Sequence, residues 1–213
     1  MKTEALIDFL AARTTPIEAN VVARRFAVAL GWSAFCTTLL MALVLGVRAD
    51  LVSVLHLPMF WIKLALPLVV ALASARAITR LARPGGRLTW APFVGAAPIA
   101  AIWGLAVAVL VVAPAEVRVP LVMGSTWRFC RRAVPLLSLP PFVAIVWAVR
   151  GLAPTRLAHA GAATGLLAGS LAETIYALHC PEMAAPFLAV FYVGAMLIPA
   201  VVGFIAGPRL LRW

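Results

Sequence analysis

Three cysteines, three histidines and seven acids are all that this 213-residue chain offers to nucleophilic, redox or metal chemistry. Two of the thiols stand out by their surroundings. Cys130 follows Trp127, while Cys180 follows His179 and precedes Pro181 and Glu182. Each is expected in a short loop between apolar stretches. Thiols so placed have four uses: a structural disulfide, a redox or thiol-reactive sensor, metal sensing, or none. A disulfide needs Cα atoms within about 7 Å, and one here would pin the third loop to the fifth. Thiolate with imidazole suits thiophilic cations, which makes His56, Cys130, His179, Cys180 and Glu182 the candidate metal set. They come from three separate loops and lack a tight C-x-x-C spacing. Cys36 sits between Phe35 and Thr37 in an apolar run, where a cysteine acts as a small hydrophobe. Beyond the loop cluster no catalytic constellation of acids, His or Ser appears. An enzyme is therefore poorly supported, and no cofactor is expected.

The elements that must hold these residues are set by composition. The chain is 64% hydrophobic and 12% charged, against about 25% charged for a soluble domain. Six stretches are long and apolar enough to cross a bilayer, which takes roughly 20 helical residues. They lie at about 26–47, 59–78, 90–113, 133–149, 158–178 and 186–206. Continuous apolar runs favour helices over the alternation of a barrel strand. The expected fold is an all-α integral membrane protein of six transmembrane helices: a segment 1–25, then one membrane domain, 26–213. The first run exceeds a signal-peptide core and lacks a cleavage pattern, so it is expected to be retained.

Charge sets the orientation. Lys2, Arg13, Arg24 and Arg25 precede the first span; Arg76, Arg80, Arg83 and Arg87 fill the second connection. Arg150 and Arg156 follow on the same side, then Arg209 and Arg212. The opposite side has only Arg48, Arg118, Arg128, Arg131 and Arg132. Twelve cations against five place both termini in the cytosol. Cys130 and Cys180 then face outward. The net charge of +11 would suggest nucleic acid in a soluble protein. Here the cations cluster at span ends, which points to the lipid bilayer as partner and to no direct nucleic-acid contact.

Three further features call for an explanation. Lys63 and Glu173 each lie roughly 6–8 Å inside the outer boundary at 1.5 Å per residue, and they are expected to form an intramembrane ion pair. The same two charges suggest the rival reading, a small transporter or ion-coupled carrier. Gly161, Gly165 and Gly169 form a small-residue ladder for close helix packing, within the bundle or in a homodimer. The opening segment puts Leu6, Phe9 and Leu10 on one helical stripe, broadened by Ile7, with Thr3 as cap and Glu4 in the first turn.

These residues resemble the NrsF-type membrane anti-sigma factors from end to end. The resemblance rests on Met1-Lys2-Thr3-Glu4-x-Leu6-Ile7-Asp8, Gly124-Ser125-x-Trp127-x-x-Cys130 and Leu139-Pro140-Pro141. It continues through Arg150-Gly151-x-Ala153-Pro154-Thr155 and Tyr176-Ala177-Leu178-His179-Cys180-Pro181-Glu182 to Gly207-Pro208-Arg209-Leu210-Leu211-Arg212-Trp213. It implies a six-span inner-membrane protein that restrains an extracytoplasmic-function sigma factor, with Cys130 and Cys180 as the functional pair. The opening segment is then the expected sigma-binding element, with Glu4, Leu6, Ile7, Asp8 and Leu10 as candidates. Release on a redox or thiophilic-metal signal is the expected mechanism.

Overall fold

Every regular element among the described residues is a helix, as long apolar runs require when the backbone must satisfy its own hydrogen bonds. The computed structural model describes residues 3–4, 9, 12, 21–82, 90–152 and 154–212. Its helices are α1 (Val21–Val44), α2 (Leu51–Val54), α3 (Pro58–Leu81), α4 (Ala91–Val112) and α5 (Ala115–Met123). There follow α6 (Trp127–Leu137), α7 (Leu139–Arg150), α8 (Leu157–Tyr176) and α9 (Ala185–Leu210), the last with a π turn at Leu188–Tyr192.

Five stretches are long and apolar enough to span a bilayer: Val21–Val44, Pro58–Leu81, Pro92–Val112, Ala115–Arg150 and Ala185–Leu210. They fit a membrane protein and match five of the six expected spans. The remaining one, α8, has 20 residues but is less apolar. Its position explains this. It packs against α9, α3, α7, α6 and α1, so its surface meets protein rather than lipid and admits small and polar residues. Thr164, Ser170 and Thr174 return their hydroxyls to the Ala160, Leu166 and Ser170 carbonyls at 2.7–2.8 Å.

The Gly161, Gly165 and Gly169 ladder faces α9. A Cβ at Gly161 would run into the Gly203 carbonyl, one at Gly165 into the Pro199 carbonyl, and one at Gly169 into Met196. Gly203 and Gly207 are equally tight against the Gly161 and Leu157 carbonyls. The two backbones thus touch directly. The homodimer expected through this ladder has no free face, because α9 of the same chain already occupies it.

The fourth span differs from expectation. It begins at Trp127 rather than 133 and is broken at Ser138. Pro140 and Pro141 lack the N–H that would continue the ladder, so the Leu137 carbonyl loses its helical donor. Thr37 of α1 supplies one, its Oγ1 donating at 3.4 Å. Ser138 donates its own hydroxyl to the Pro135 carbonyl at 2.6 Å. At the far end, Arg25 Nη2 donates to the Trp147 carbonyl at 2.7 Å, and its guanidinium lies 4.1 Å from the Trp147 ring centre. So α1 is joined to the end of α6 and to the far end of α7.

The first span also starts earlier than expected, at Val21. Thr3, Glu4, Phe9 and Ala12 are helical and exposed. Leu6, Ile7, Asp8 and Leu10 lie outside the described residues, as do Arg83 and Arg87. Around the bundle, large apolar side chains such as Leu43, Val112 and Ile205 are exposed, which is the surface lipid would cover.

Candidate functional site

After α8 the chain turns tightly: the His179 and Cys180 amides both donate to the Tyr176 carbonyl, at 2.9 and 3.0 Å. The segment that follows, through Glu182, is gripped from three directions. From the first loop, the Arg48 amide donates to the Leu178 carbonyl at 3.3 Å and its Nη1 to the Cys180 carbonyl at 3.2 Å. His179 Nδ1 lies 2.8 Å from the Gly46 carbonyl, which only accepts, so this nitrogen carries the proton. From α3, Lys63 Nζ donates to the Cys180 carbonyl at 2.5 Å and the Glu182 carbonyl at 2.9 Å. From the third connection, Ser125 and Thr126 converge on the Glu182 carboxylate.

Each grip has a local cause. Arg48 Nε and Nη2 hold both Asp50 oxygens at 2.7 Å, which leaves Nη1 free to reach Cys180. That pairing lowers the Asp50 carboxyl below its ordinary 3.8 and raises Arg48, whose side chain is 7% exposed. On the other side, Glu182 Oε1 accepts from the Ser125 amide at 2.6 Å and hydroxyl at 2.7 Å. It also accepts from the Thr126 amide at 3.2 Å and hydroxyl at 3.4 Å. Thr126 opens α6, so the carboxylate caps a helix N-terminus and offsets its partial positive charge. Gly124 allows this. Its φ of +56° suits glycine, and a Cβ there would strike the Glu182 carboxyl and the Phe187 ring.

The two thiols lie beneath these contacts. Cys130 and Cys180 are both 0% exposed and both free. Cys130 is not in a loop: its amide donates to the Thr126 carbonyl at 3.0 Å, in the first turn of α6. The hydroxyls of Tyr176 and Tyr192 stand near the Cys130 and Cys180 thiols, yet neither closes a hydrogen bond. The Tyr176 ring packs 5.6 Å from His179 and 6.4 Å from Tyr192.

Several expectations change. Lys63 and Glu173 are both fully buried, but no ion pair joins them. Lys63 spends its donors on carbonyls, and both Glu173 oxygens lack a hydrogen-bond partner. The metal set does not assemble: no three of His, Cys, Asp and Glu converge among the described residues. Glu182 is taken up by Ser125 and Thr126, His179 by Gly46, and His56 is exposed on the first loop. Arg48, Ser125, Thr126, Tyr176 and Tyr192 carried no expected site role: Arg48 entered only the charge count, and Ser125 and Tyr176 only the motifs of the resemblance. Nothing local announces these contacts: the Ser125 and Thr126 hydroxyls bond Glu182, 57 and 56 residues on, rather than cap α6.

The chain resembles known proteins along its whole length. The family model described as "Negative regulator of sigma F", NrsF, matches residues 10–213. "Probable anti-sigma-F factor NrsF" of Azospira oryzae is 45% identical over 213 residues, with 100% of both chains covered. "Anti-sigma-F factor NrsF" of Caulobacter vibrioides is 37% identical over 219 residues, again with 100% of each covered. No solved structure matches.

Proposed function

The chain belongs to the NrsF family of negative regulators of sigma F, and on that premise we propose that it sequesters an extracytoplasmic-function sigma factor at the bacterial inner membrane and releases it when Cys130 and Cys180 are modified. It is a regulator rather than an enzyme, as its relatives are. In this reading α8 is the fifth of six spans, both termini are cytosolic, and the thiol hub lies outward. The regulatory family displaces the carrier reading of Lys63 and Glu173.

The observation that carries the proposal is the route from Cys130 to the root of the opening segment. Cys130 rides on α6, which meets α7 at the Ser138 break. The Thr37 hydrogen bond ties the end of α6 to α1 and the Arg25 clamp ties α7 to it, and α1 leads back into the opening segment. By contrast, α8 and α9 touch backbone to backbone, with no room for one to shift against the other. A group added to a thiol with no free space around it must displace a neighbour. Oxidation of the pair to a disulfide, giving two electrons and two protons to an oxidant, must draw α6 and the fifth loop together. Capture by a thiophilic cation would do the same. The α6–α7 break is the place where such a shift is absorbed or passed on, across about 30 Å of hydrocarbon.

On the cytosolic side, Glu4 and Asp8 supply the acids and Leu6, Ile7 and Leu10 the apolar stripe that hold the sigma factor. Replacing both cysteines by serine tests the thiol mechanism. Expression of the sigma-dependent genes should stop responding to oxidant and to thiophilic metal; a normal response in that variant would sink the idea.

A further inference from the structure

At its arginine-bearing end, α3 leaves a groove of about 470 Å³ against the start of α4. The floor is apolar, formed by Val69, Leu72 and Ala73 of α3 with Val94 of α4; Arg76, Arg80 and Trp90 stand at the rim. Gly95 lets α4 approach Ala73 of α3 closely, since a Cβ there would press on the Ala73 side chain. Arg76 and Arg80 are one helical turn apart and project from the same face. Both are exposed, and among the described residues neither side chain meets an acid, a carbonyl or a ring. Arg25, Arg48 and Arg118 are different: each is hydrogen-bonded to protein oxygen. Trp90, 77% exposed, stands where an indole marks the boundary between hydrocarbon and headgroups. The first turn of α4 has no side-chain cap, so its amides add positive potential at the same rim.

We propose that this groove holds one anionic phospholipid. Its phosphate sits between the Arg76 and Arg80 guanidinia, and one acyl chain lies along Leu72 and Val94. The assignment goes beyond general attraction of basic ends to lipid, because it requires a single seat with two distinct halves. Two parallel guanidinia present donor forks matched to phosphate oxygens. The apolar floor is of no use to a free phosphate ion but fits an acyl chain, and the groove opens on the lipid-facing side of a helix pair.

The test uses the full chain, purified in mild detergent and offered equal amounts of phosphatidylglycerol and phosphatidylcholine, with retained lipid read by native mass spectrometry. One phosphatidylglycerol should be retained in preference. Replacing both arginines (R76Q/R80Q) should weaken retention about 30-fold, from about 1 kcal/mol per cation. R156Q, which removes an equivalent exposed charge outside the groove, should leave retention unchanged. L72W keeps both cations but fills the floor, and should weaken retention about tenfold. Equal retention of phosphatidylcholine would overturn the proposal, as would a loss in R156Q as large as in the double variant. So would wild-type retention in L72W, or displacement of the lipid by equimolar glycerol phosphate, which would mark a phosphate site.

Discussion

Glu182 holds four donors from Ser125 and Thr126 on one oxygen, so its charge rather than its shape sets the strength of the clamp between the third and fifth loops. Glu182→Gln leaves a neutral acceptor and should cost about 1 kcal/mol; Glu182→Ala strands the donors and should cost about 2 kcal/mol. The midpoint of thermal unfolding in detergent reads both. The Asp50 pair gives a pH signature. Its carboxyl is lowered in the folded chain, so its contribution is complete above the ordinary value of 3.8 and is lost as pH falls through the lower folded value. Wild type and Asp50→Asn should therefore differ in midpoint at neutral pH and converge in strong acid; a difference that persists there contradicts the pairing. At this scale the sequence was only partly readable. Cys130 and Cys180 were visible as a pair, but their burial was not, because the groups that cover them come from three other parts of the chain. The Ser125 hydroxyl stood in the sequence as a donor, but its acceptor lies 57 residues on.

Between α8 and α9, carbonyl oxygens stand where side chains would go, and neither backbone has room to yield. Gly165→Leu should prevent that contact from forming, and limited proteolysis of the membrane-embedded chain should show α9 cut where wild type resists. The Thr37 bond to the Leu137 carbonyl is weaker. Thr37→Val should cost about 0.6 kcal/mol, the usual worth of such a bond between membrane helices, again as a fall in unfolding midpoint. Hydropathy made most spans legible, since lipid-facing helices such as α4 must be greasy throughout. The same criterion fails for α8, because a helix enclosed by others is freed from it. The glycine ladder was legible as a contact but not as to partner. The matching ladder of Pro199, Gly203 and Gly207 on α9 was there to be read. The broken fourth span was announced by three prolines, yet its start at Trp127 was hidden because Arg128, Arg131 and Arg132 made the first turn of α6 look like loop.

Seen whole, the bundle gathers its first, third and fifth loops into one hub at one end, and joins α1 to α7 at the other. That division is the one an alternation of spans requires, and it puts the thiols and the start of α1 at opposite ends. Deleting residues 1–20, which leaves α1 and the Arg25 clamp intact, should abolish co-purification of the sigma factor with the membrane-embedded chain; full retention by the truncated chain would move the docking site to other loops. The most direct test of the central claim is release from the complex itself. The sigma factor is bound to the full-length protein in membranes, a thiol oxidant or thiophilic cation is added, and the fraction still bound is measured. Wild type should let go and the Cys130→Ser, Cys180→Ser variant should hold on. Equal release from both, or from neither, would contradict a grip governed by the buried thiols.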